Sequence, residues 1–208
     1  MSEKMNGYDY IAGTIKGYGV SHIFYVEAML RMAMRELGEL GVKRVMAHSE
    51  NAAAYMADGY ARMSGKPGVC LAQSIGSANL AGGVHEAWLA NSPVIAFTGK
   101  KPPTYQYRGS YQEADHRLLY EGITKFNADI SEAQQLPVVL RQCFREAVTG
   151  KPRPVHADLS NHTGRVIEVG SVSAPIYVEE IYKHYPPFRP AAESAMVEAA
   201  AADIDAAK

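Results

Sequence analysis

Between about residue 9 and residue 159, stretches with apolar residues at helical spacing alternate with short continuous apolar runs, the pattern of a parallel sheet joined by crossover helices. DYIAGTIKGYG predicts a helix closed by Gly17 or Gly19, and HIFYV the strand after it. MLRMAMRELGEL places Leu30, Met34, Leu37 and Leu40 near helical spacing, with KRVMA as the next strand. HSENAAAYMADGYAR, residues 48 to 62, reads as a strand end running into a helix that stops near Gly65. GVCLAQ is a continuous apolar run suited to a strand covered on both faces. SANLAGGVHEAWLAN predicts a helix, PVIAFTG a strand, EAQQLPVVLRQCFREAVTG a helix ended by Gly150, and PVHADL a closing strand. The expected fold is α/β: a doubly wound, mostly parallel sheet with helices on both faces, followed by a linker and a C-terminal helix.

Punctuation refines the picture. Gly-Lys-Pro recurs at 65 to 67 and at 150 to 152, each time a helix-ending Gly, a cation for the negative end of the helix dipole, and a Pro where the helix cannot continue. Neither is a phosphate loop, because Pro stands where that motif needs Ser or Thr after its Gly-Lys. The segment from 100 to 124 is long and polar for a crossover, and loops of that size usually line a site or bind a partner. After about residue 163 the periodicity gives way to a proline-rich stretch, then to the Ala-rich ESAMVEAAAADIDAAK. The expected organisation is one domain over 1–163, a linker over 164–190, and an orphan helix or the start of a further domain over 191–208.

Composition mainly excludes. A net charge of -1 over 208 residues, with no run of Lys or Arg, argues against nucleic acid. No stretch approaches the roughly 20 apolar residues of a membrane span, and MSEKMNGYDYIAG has no signal-peptide character, so a cytoplasmic location is expected. Cys70 and Cys143 are far from CxxC spacing and read as reduced core residues. The histidines show no metal-binding spacing: His85-Glu86 lacks a second His, and a strand end separates His156 from His162. No metal ligand is expected in this chain. GYGVSH follows a helix and precedes a strand, the reverse of the order a dinucleotide fingerprint needs, and no GxSxG surrounds a serine.

Two stretches could carry chemistry. Glu50 stands where a strand ends and a helix begins, at the sheet edge where open α/β folds bind ligands. As a plain helix N-terminal acid it would contribute about 0.3–1 kcal/mol, and Ser49 or Asn51 could cap the same turn. Ala53, Ala54, Ala57 and Ala61 recur on one face behind it, which lets the helix approach its neighbours closely. The second stretch is QSIGSANL, residues 73 to 80, also at a strand's carboxyl end. Here Ser74 or Ser77 could cap the next helix and Gly76 could let a ligand near the backbone, although an ordinary capped turn accounts equally for the pattern.

Together these residues resemble the N-terminal, pyrimidine-binding domain of thiamine-diphosphate-dependent enzymes of the acetolactate synthase type. ENAAAYMADGYAR is similar to that family's Glu-containing strand-to-helix segment. PGVCLAQSIGSANL resembles its next strand and turn, NSPVIAFTG the strand after that, YQEADHRLLYEGITKFN its Phe-Gln-Glu loop and Thr-Lys segment, and TGKPRPVHADL its closing strand. The resemblance covers about residues 7 to 160, and PPFRPAAESAMVEAAAADIDAAK resembles the family's linker and the first helix of its middle domain.

The resemblance implies an enzyme acting on a 2-keto acid by decarboxylation or carboligation. Glu50 would be the catalytic carboxylate that hydrogen-bonds N1′ of the cofactor's aminopyrimidine, so that the ring's 4′-nitrogen can take up a proton. Tyr25, Gly76, Asn79 and Gln112 would contact the cofactor, and Val26, Tyr111 and Lys125 would stand on the substrate side. Thiamine diphosphate and Mg²⁺ are the implied cofactors, their charged half held in the family by a separate domain bearing a Gly-Asp-Gly stretch. This chain has no Gly-Asp pair, and Asp58-Gly59 falls inside a helical pattern. The expected partners are therefore a second copy, docked through the helix of residues 51–64 or 77–90, and a diphosphate-binding domain in the same full-length chain or in a partner subunit. Departures bear on the substrate: Val26-Glu27-Ala28 replaces a Pro-Gly-Gly type of turn, Ile75-Gly76-Ser77 a Gly-Pro-Gly turn, Tyr111 the usual Phe, and Ser49 intervenes between His48 and Glu50. Two other classes compete: a non-catalytic binding or regulatory module of the same fold, and a flavodoxin-like nucleotide-binding protein that would use the turn at 73–80 without Glu50.

Overall fold

Successive residues of the central strands enter two separate cores, as a sheet covered on both faces requires. In the computed structural model, which describes residues 4–26, 29–160 and 165–207, Ile23, Val69, Leu71, Ile95 and Phe97 join one cluster, while Phe24, Cys70, Ala72, Val94 and Ala96 join the other. The order of elements is β1 (Met5–Asn6), α1 (Gly7–Gly17), β2 (His22–Tyr25), α2 (Arg31–Glu39), β3 (Lys43–Met46) and α3 (Glu50–Ser64). Then come β4 (Gly68–Gln73), α4 (Gly76–Leu89), β5 (Val94–Lys100), α5 (His116–Glu121), β6 (Asn127–Ile130) and α6 (Leu136–Val148). β7 (Val155–Ser160), α7 (Arg165–Val169), β8 (Ser171–Val172) and α8 (Ser194–Ala206) complete the chain. Six strands form one parallel sheet in the order β3-β2-β4-β5-β7-β6, and β1 pairs with β8 as a small antiparallel ribbon. Helices α1, α2 and α6 pack on the first core and α3, α4 and α5 on the second, which makes the fold the doubly wound α/β architecture expected.

The structure adds elements within stretches that lack clear periodicity. NADI becomes the edge strand β6, whose first three residues are only half-buried, so no continuous apolar run marks it. The long crossover folds into a 3₁₀ turn at Pro103–Tyr105 and the short helix α5. The helix expected over 132–150 begins as a 3₁₀ turn, Ala133–Gln135, and becomes α-helical at Leu136, with Pro137 in the first turn where its missing N–H is tolerated. Gly65 and Gly150 do take left-handed conformations, with φ of 67° and 57°. Lys66, however, turns to another helix: its Nζ donates to the carbonyl of Gly19, 3.3 Å away, just beyond the end of α1.

The expected linker is only partly a linker. Ile176, Val178, Tyr182 and Tyr185 pack against the first core, and Glu179 accepts from Arg141 Nε at 3.3 Å and from an Arg145 terminal nitrogen at 2.5 Å. Tyr185 Oη donates to the carbonyl of Ala61 at 3.0 Å, which carries this strap across to the end of α3. Only the part beyond it is extended, and α8 has no buried residue. The expected domain boundary at 163/164 lies outside the described residues. No helix among them is long and apolar enough to cross a membrane.

One buried polar seam crosses the second face of the sheet. Thr98 on β5 lies 2.6 Å from His156 Nε2 and donates to Asp158 Oδ1 at 2.8 Å, both partners being on β7. His116 Nδ1, at the start of α5, lies 3.0 Å from the same Asp158 oxygen, and His156 Nδ1 is 2.8 Å from Asn127 Oδ1 on β6. Tyr120 stacks flat on the His156 ring at 3.9 Å. Burial pushes His156 down to about 3 from the ordinary 6.5, so the ring stays neutral in the folded protein well into acid. The unfolded ring takes up its proton near pH 6.5 and the folded ring only near 3. Stability is therefore expected to be unaffected by this group above that window and to fall as pH drops through it, by up to about 1.4 kcal/mol per pH unit. Denaturant unfolding at pH 7 and at pH 4.5 checks this: His156→Gln should be less stable at neutral pH yet lose part of the acid slope, and an unchanged slope would refute it.

Candidate functional site

The chain order creates a crevice. From β2 the chain runs outward to β3, whereas from β4 it runs the other way to β5, so the carboxyl ends of the neighbours β2 and β4 are left with diverging connections. Open α/β sheets bind ligands at such a switch point. Tyr25 and Val26 leave β2 here, Glu50 opens α3 after β3, and Gln73, Gly76 and Asn79 span the end of β4 and the first turn of α4.

Glu50 is half-buried, and Asn79 Nδ2 donates to its Oε2 at 3.2 Å. The other oxygen lies against the α4 backbone: a Cβ placed on Gly76 would sit 2.5 Å from Oε1 and 3.0 Å from Cδ. Gly76 is thus required for space, its φ being ordinary. The two candidate stretches of the sequence form one site, with the acid of one lying over the glycine of the other. Among the described residues Oε1 has no hydrogen-bond partner, which leaves it available to a ligand.

None of the expected side-chain caps is present. Ser49 occupies the N-cap position of α3 with extended backbone, but its hydroxyl donates to Asn51 Oδ1 at 2.6 Å instead of receiving a helix N–H. Ser74 is left-handed, with φ of 44°, and both its N–H and its hydroxyl turn to the carbonyl of Gly99, at 2.8 and 3.4 Å. Ser77 contributes its carbonyl, which accepts from Tyr120 Oη at 2.8 Å. What places Glu50 is helix packing. Ala53, Ala54, Ala57 and Ala61 are fully buried, and a Cβ on Gly83 of α4 would come within 2.5 Å of the Ala54 methyl. Gly68 at the start of β4 lies equally close to the backbone of Ala57. Asp58 is spent within α3 on a two-pronged pair with Arg62 at 3.0 and 2.7 Å.

The remaining expected residues divide. Gln112, left-handed with φ of 58°, accepts from Gln73 Nε2 at 3.4 Å and donates to Tyr111 Oη at 3.2 Å, which ties the long loop to the end of β4. Tyr111 is largely exposed beside it. Tyr25 and Val26 lie at the same edge, and Glu27 and Ala28 lie outside the described residues. Lys125 does not belong to the site. It precedes β6, at the opposite, amino edge, and its Nζ donates to the carbonyls of Glu146, Thr149 and Lys151 at 2.7, 2.6 and 3.1 Å. Its role is to cap the carboxyl end of α6, where the negative end of the dipole favours a cation. Burial pushes its ammonium below the ordinary lysine range.

Two contributors are missed by the sequence reading. Gln73 carries the loop contact, although as the polar last residue of an apolar run its position marks it as a strand end. Glu113 folds the loop: the N–H groups of Tyr107, Arg108 and Ser110 and the Ser110 hydroxyl all donate to it. Those bonds, that from Ser110 first, hold its carboxyl below the usual range. Among the described residues no group of three His, Cys, Asp or Glu side chains could hold a metal ion.

The profile of the family described as "Thiamine pyrophosphate enzyme, N-terminal TPP binding domain" matches residues 5–119. The chain is 37% identical over 157 residues to the "Probable acetolactate synthase large subunit" of Methanocaldococcus jannaschii, covering 74% of this chain and 27% of that protein. It is 32% identical over 178 residues to the acetolactate synthase large subunit of Lactococcus lactis, covering 84% of this chain and 31% of that one. With the acetolactate synthase isozyme 2 large subunit of Escherichia coli the identity is 32% over 157 residues, 74% of this chain and 29% of that protein. The chain thus matches less than a third of the length of each of these relatives.

The Glu50–Gly76 contact is testable by a double-mutant cycle. Gly76→Ala should destabilise the protein by about 1–3 kcal/mol, the usual cost of overpacking. In a Glu50→Ala background, which removes the carboxylate and Cγ atoms nearest the new methyl, most of that cost should vanish. Equal costs in both backgrounds, measured by urea unfolding, would show that the two residues do not press on one another.

Proposed function

The chain belongs to the thiamine pyrophosphate enzyme family as its N-terminal, TPP-binding domain, and from that premise we propose that Glu50 is its catalytic carboxylate. The observation that carries the proposal is the setting of that one side chain: one oxygen tethered by Asn79, the other free over Gly76, at the switch-point crevice of the sheet. The fit to an aminopyrimidine is good. Gly76, lacking a Cβ, lets the carboxylate lie against the α4 backbone, and a ring nitrogen needs an acceptor not already engaged, which Oε1 provides.

When bound, thiamine diphosphate supplies the electron sink for chemistry on a 2-keto acid. The part of this chain is to orient the aminopyrimidine and to hold a proton at its N1′ through Glu50, with Asn79 fixing the direction of the carboxylate. Tyr25 and Gln112 flank the ring, and Val26 and Tyr111 face the substrate. The diphosphate and Mg²⁺ fall to a diphosphate-binding domain, in the same full-length chain or in a partner subunit. Residues 191–208 open the next domain in this reading. Tyr55, Met56, Met63 and Leu89, large apolar side chains exposed along α3 and α4, supply the surface on which a second copy docks to form a dimer. The polypeptide works in the cytoplasm.

The test is decarboxylation of a panel of 2-keto acids by the protein assembled with its diphosphate-binding domain, with thiamine diphosphate and Mg²⁺ present. Glu50→Gln should keep the fold, judged by circular dichroism, and lose on the order of 10²–10⁴-fold in kcat, the range expected when a positioned acid–base group is removed. A Glu50→Gln complex running at the full rate would exclude the proton-holding role.

A further inference from the structure

The helix that bears Glu50 at its amino end is gripped at its other end by a residue far along the chain. Tyr185, 124 positions beyond Ala61, donates its hydroxyl to the Ala61 carbonyl at 3.0 Å and its N–H to the Gly65 carbonyl at 2.9 Å. Ala61 and Gly65 bound the closing turn of α3, where carbonyls run out of helical partners. One side chain and one peptide group of the strap therefore hold that turn from both ends.

The strap is itself fastened. A Cβ on Gly13 of α1 would come within 2.5 Å of Ile176 Cδ1, and one on Gly17, a turn further on, within 2.5 Å of Val178 Cγ2. Two missing side chains on α1 thus make the notches that alternate strap residues fill. Beyond them Glu179 pairs with Arg141 and Arg145, whose guanidinium groups also lie over the rings of Tyr177 and Tyr182 at 4.7 and 5.6 Å. Tyr185 therefore reaches α3 from a segment anchored on α1 and α6.

What these bonds can fix is the position of α3 along its own axis. Its inner face is alanine, and it meets Gly68 of β4 and Gly83 of α4, so the surfaces come close yet interlock little in that direction. Bonds from the helix to other elements then decide. In the carboxyl half these are the bonds to Tyr185 and the 2.8 Å contact of Tyr60 Oη with Ser21 Oγ, and at the amino end the bond of Glu50 itself. Glu50 has little room: its bond from Asn79, at 3.2 Å, is at the long limit for N–H···O, and the backbone of Gly76 lies against its other oxygen. A small axial displacement breaks the one or crowds the other. We propose that Tyr185 is a positioning residue for Glu50, holding α3 at the axial position that keeps the carboxylate between Asn79 and Gly76. Its bearing on catalysis rests on the role given to Glu50 above.

The full chain, without cofactor, is followed by NMR at the Asn79 side-chain amide, which reports the Glu50 bond. Tyr185→Phe, which removes only the hydroxyl, should shift that signal along with the backbone amides of residues 61–65, and so should Arg145→Gln, which loosens the strap at Glu179. Tyr182→Phe, at a strap tyrosine that faces Arg145, should leave it in place. In a Glu50→Ala background the Asn79 signal should no longer respond to Tyr185→Phe. An Asn79 signal indifferent to Tyr185→Phe, equally moved by Tyr182→Phe, or still responsive without the Glu50 carboxylate would overturn the assignment. With the diphosphate-binding domain, thiamine diphosphate and Mg²⁺ added, Tyr185→Phe should lower kcat severalfold at unchanged KM for the 2-keto acid. A full rate in Tyr185→Phe beside a loss in Glu50→Gln would remove the positioning role and leave the catalytic one standing. A full rate in Glu50→Gln with the Asn79 shifts as expected would do the reverse.

Discussion

The close approach of α3 to α4 is the constraint from which the site follows. Alanines line the inner face of α3, and Gly83 lets the α4 backbone come against Ala54. A helix pair separated by larger side chains would leave the first turns of α3 and α4 too far apart for a glutamate to span. With the helices this close, Glu50 at the start of one reaches Asn79 and Gly76 at the start of the other. Dispersion between small residues is weak per contact, so the packing depends on many of them fitting at once. That is why a stripe of alanines, uninformative as chemistry, governs where Glu50 stands.

A second support comes from α5. Tyr120 stacks on His156, buried between strands, and its hydroxyl reaches the carbonyl of Ser77 in the first turn of α4. His116 on the same short helix binds Asp158. The turn that holds Gly76 and Asn79 is therefore anchored to the polar seam on β5 and β7 as well as to α3. Asp158 shows how the seam is balanced: burial raises its carboxyl, and the hydrogen bond and charge attraction of His116, with smaller contributions from His156 and Thr98, more than offset this, so that it rests below the ordinary range.

Much of this was legible because the local signals agree with the global fold. Short apolar runs marked β2, β3, β4, β5 and β7, helical patterns marked α1 to α4 and α6, and Glu50 and Gly76 stood out as an acid and a glycine at strand ends. β6 was not legible, because an edge strand flanked by polar loops needs no apolar run and gains its pairing only from β7. The capping serines were misjudged for a related reason. Ser49 and Ser74 have the right chemistry for caps, but a side-chain partner or a neighbouring strand carbonyl takes each hydroxyl instead, and the second of these competitors is tertiary.

Lys125 shows the same limit most sharply. In the sequence it sits close behind the long loop that carries Tyr111 and Gln112, and proximity along the chain suggests proximity in the site. In a parallel sheet the chain must cross from the carboxyl edge back to the amino edge before each strand, and α5 makes that crossing between Gln112 and Lys125. A residue just before a strand is therefore at the wrong end for catalysis, whatever its neighbours in sequence. Once there, an ammonium meets carbonyls at the end of α6 and in the turn beyond it, and those of Glu146, Thr149 and Lys151 accept from it. Reading which side of a crossover helix a residue falls on, before reading its chemistry, separates the lysine that holds the fold from the glutamate that faces the crevice.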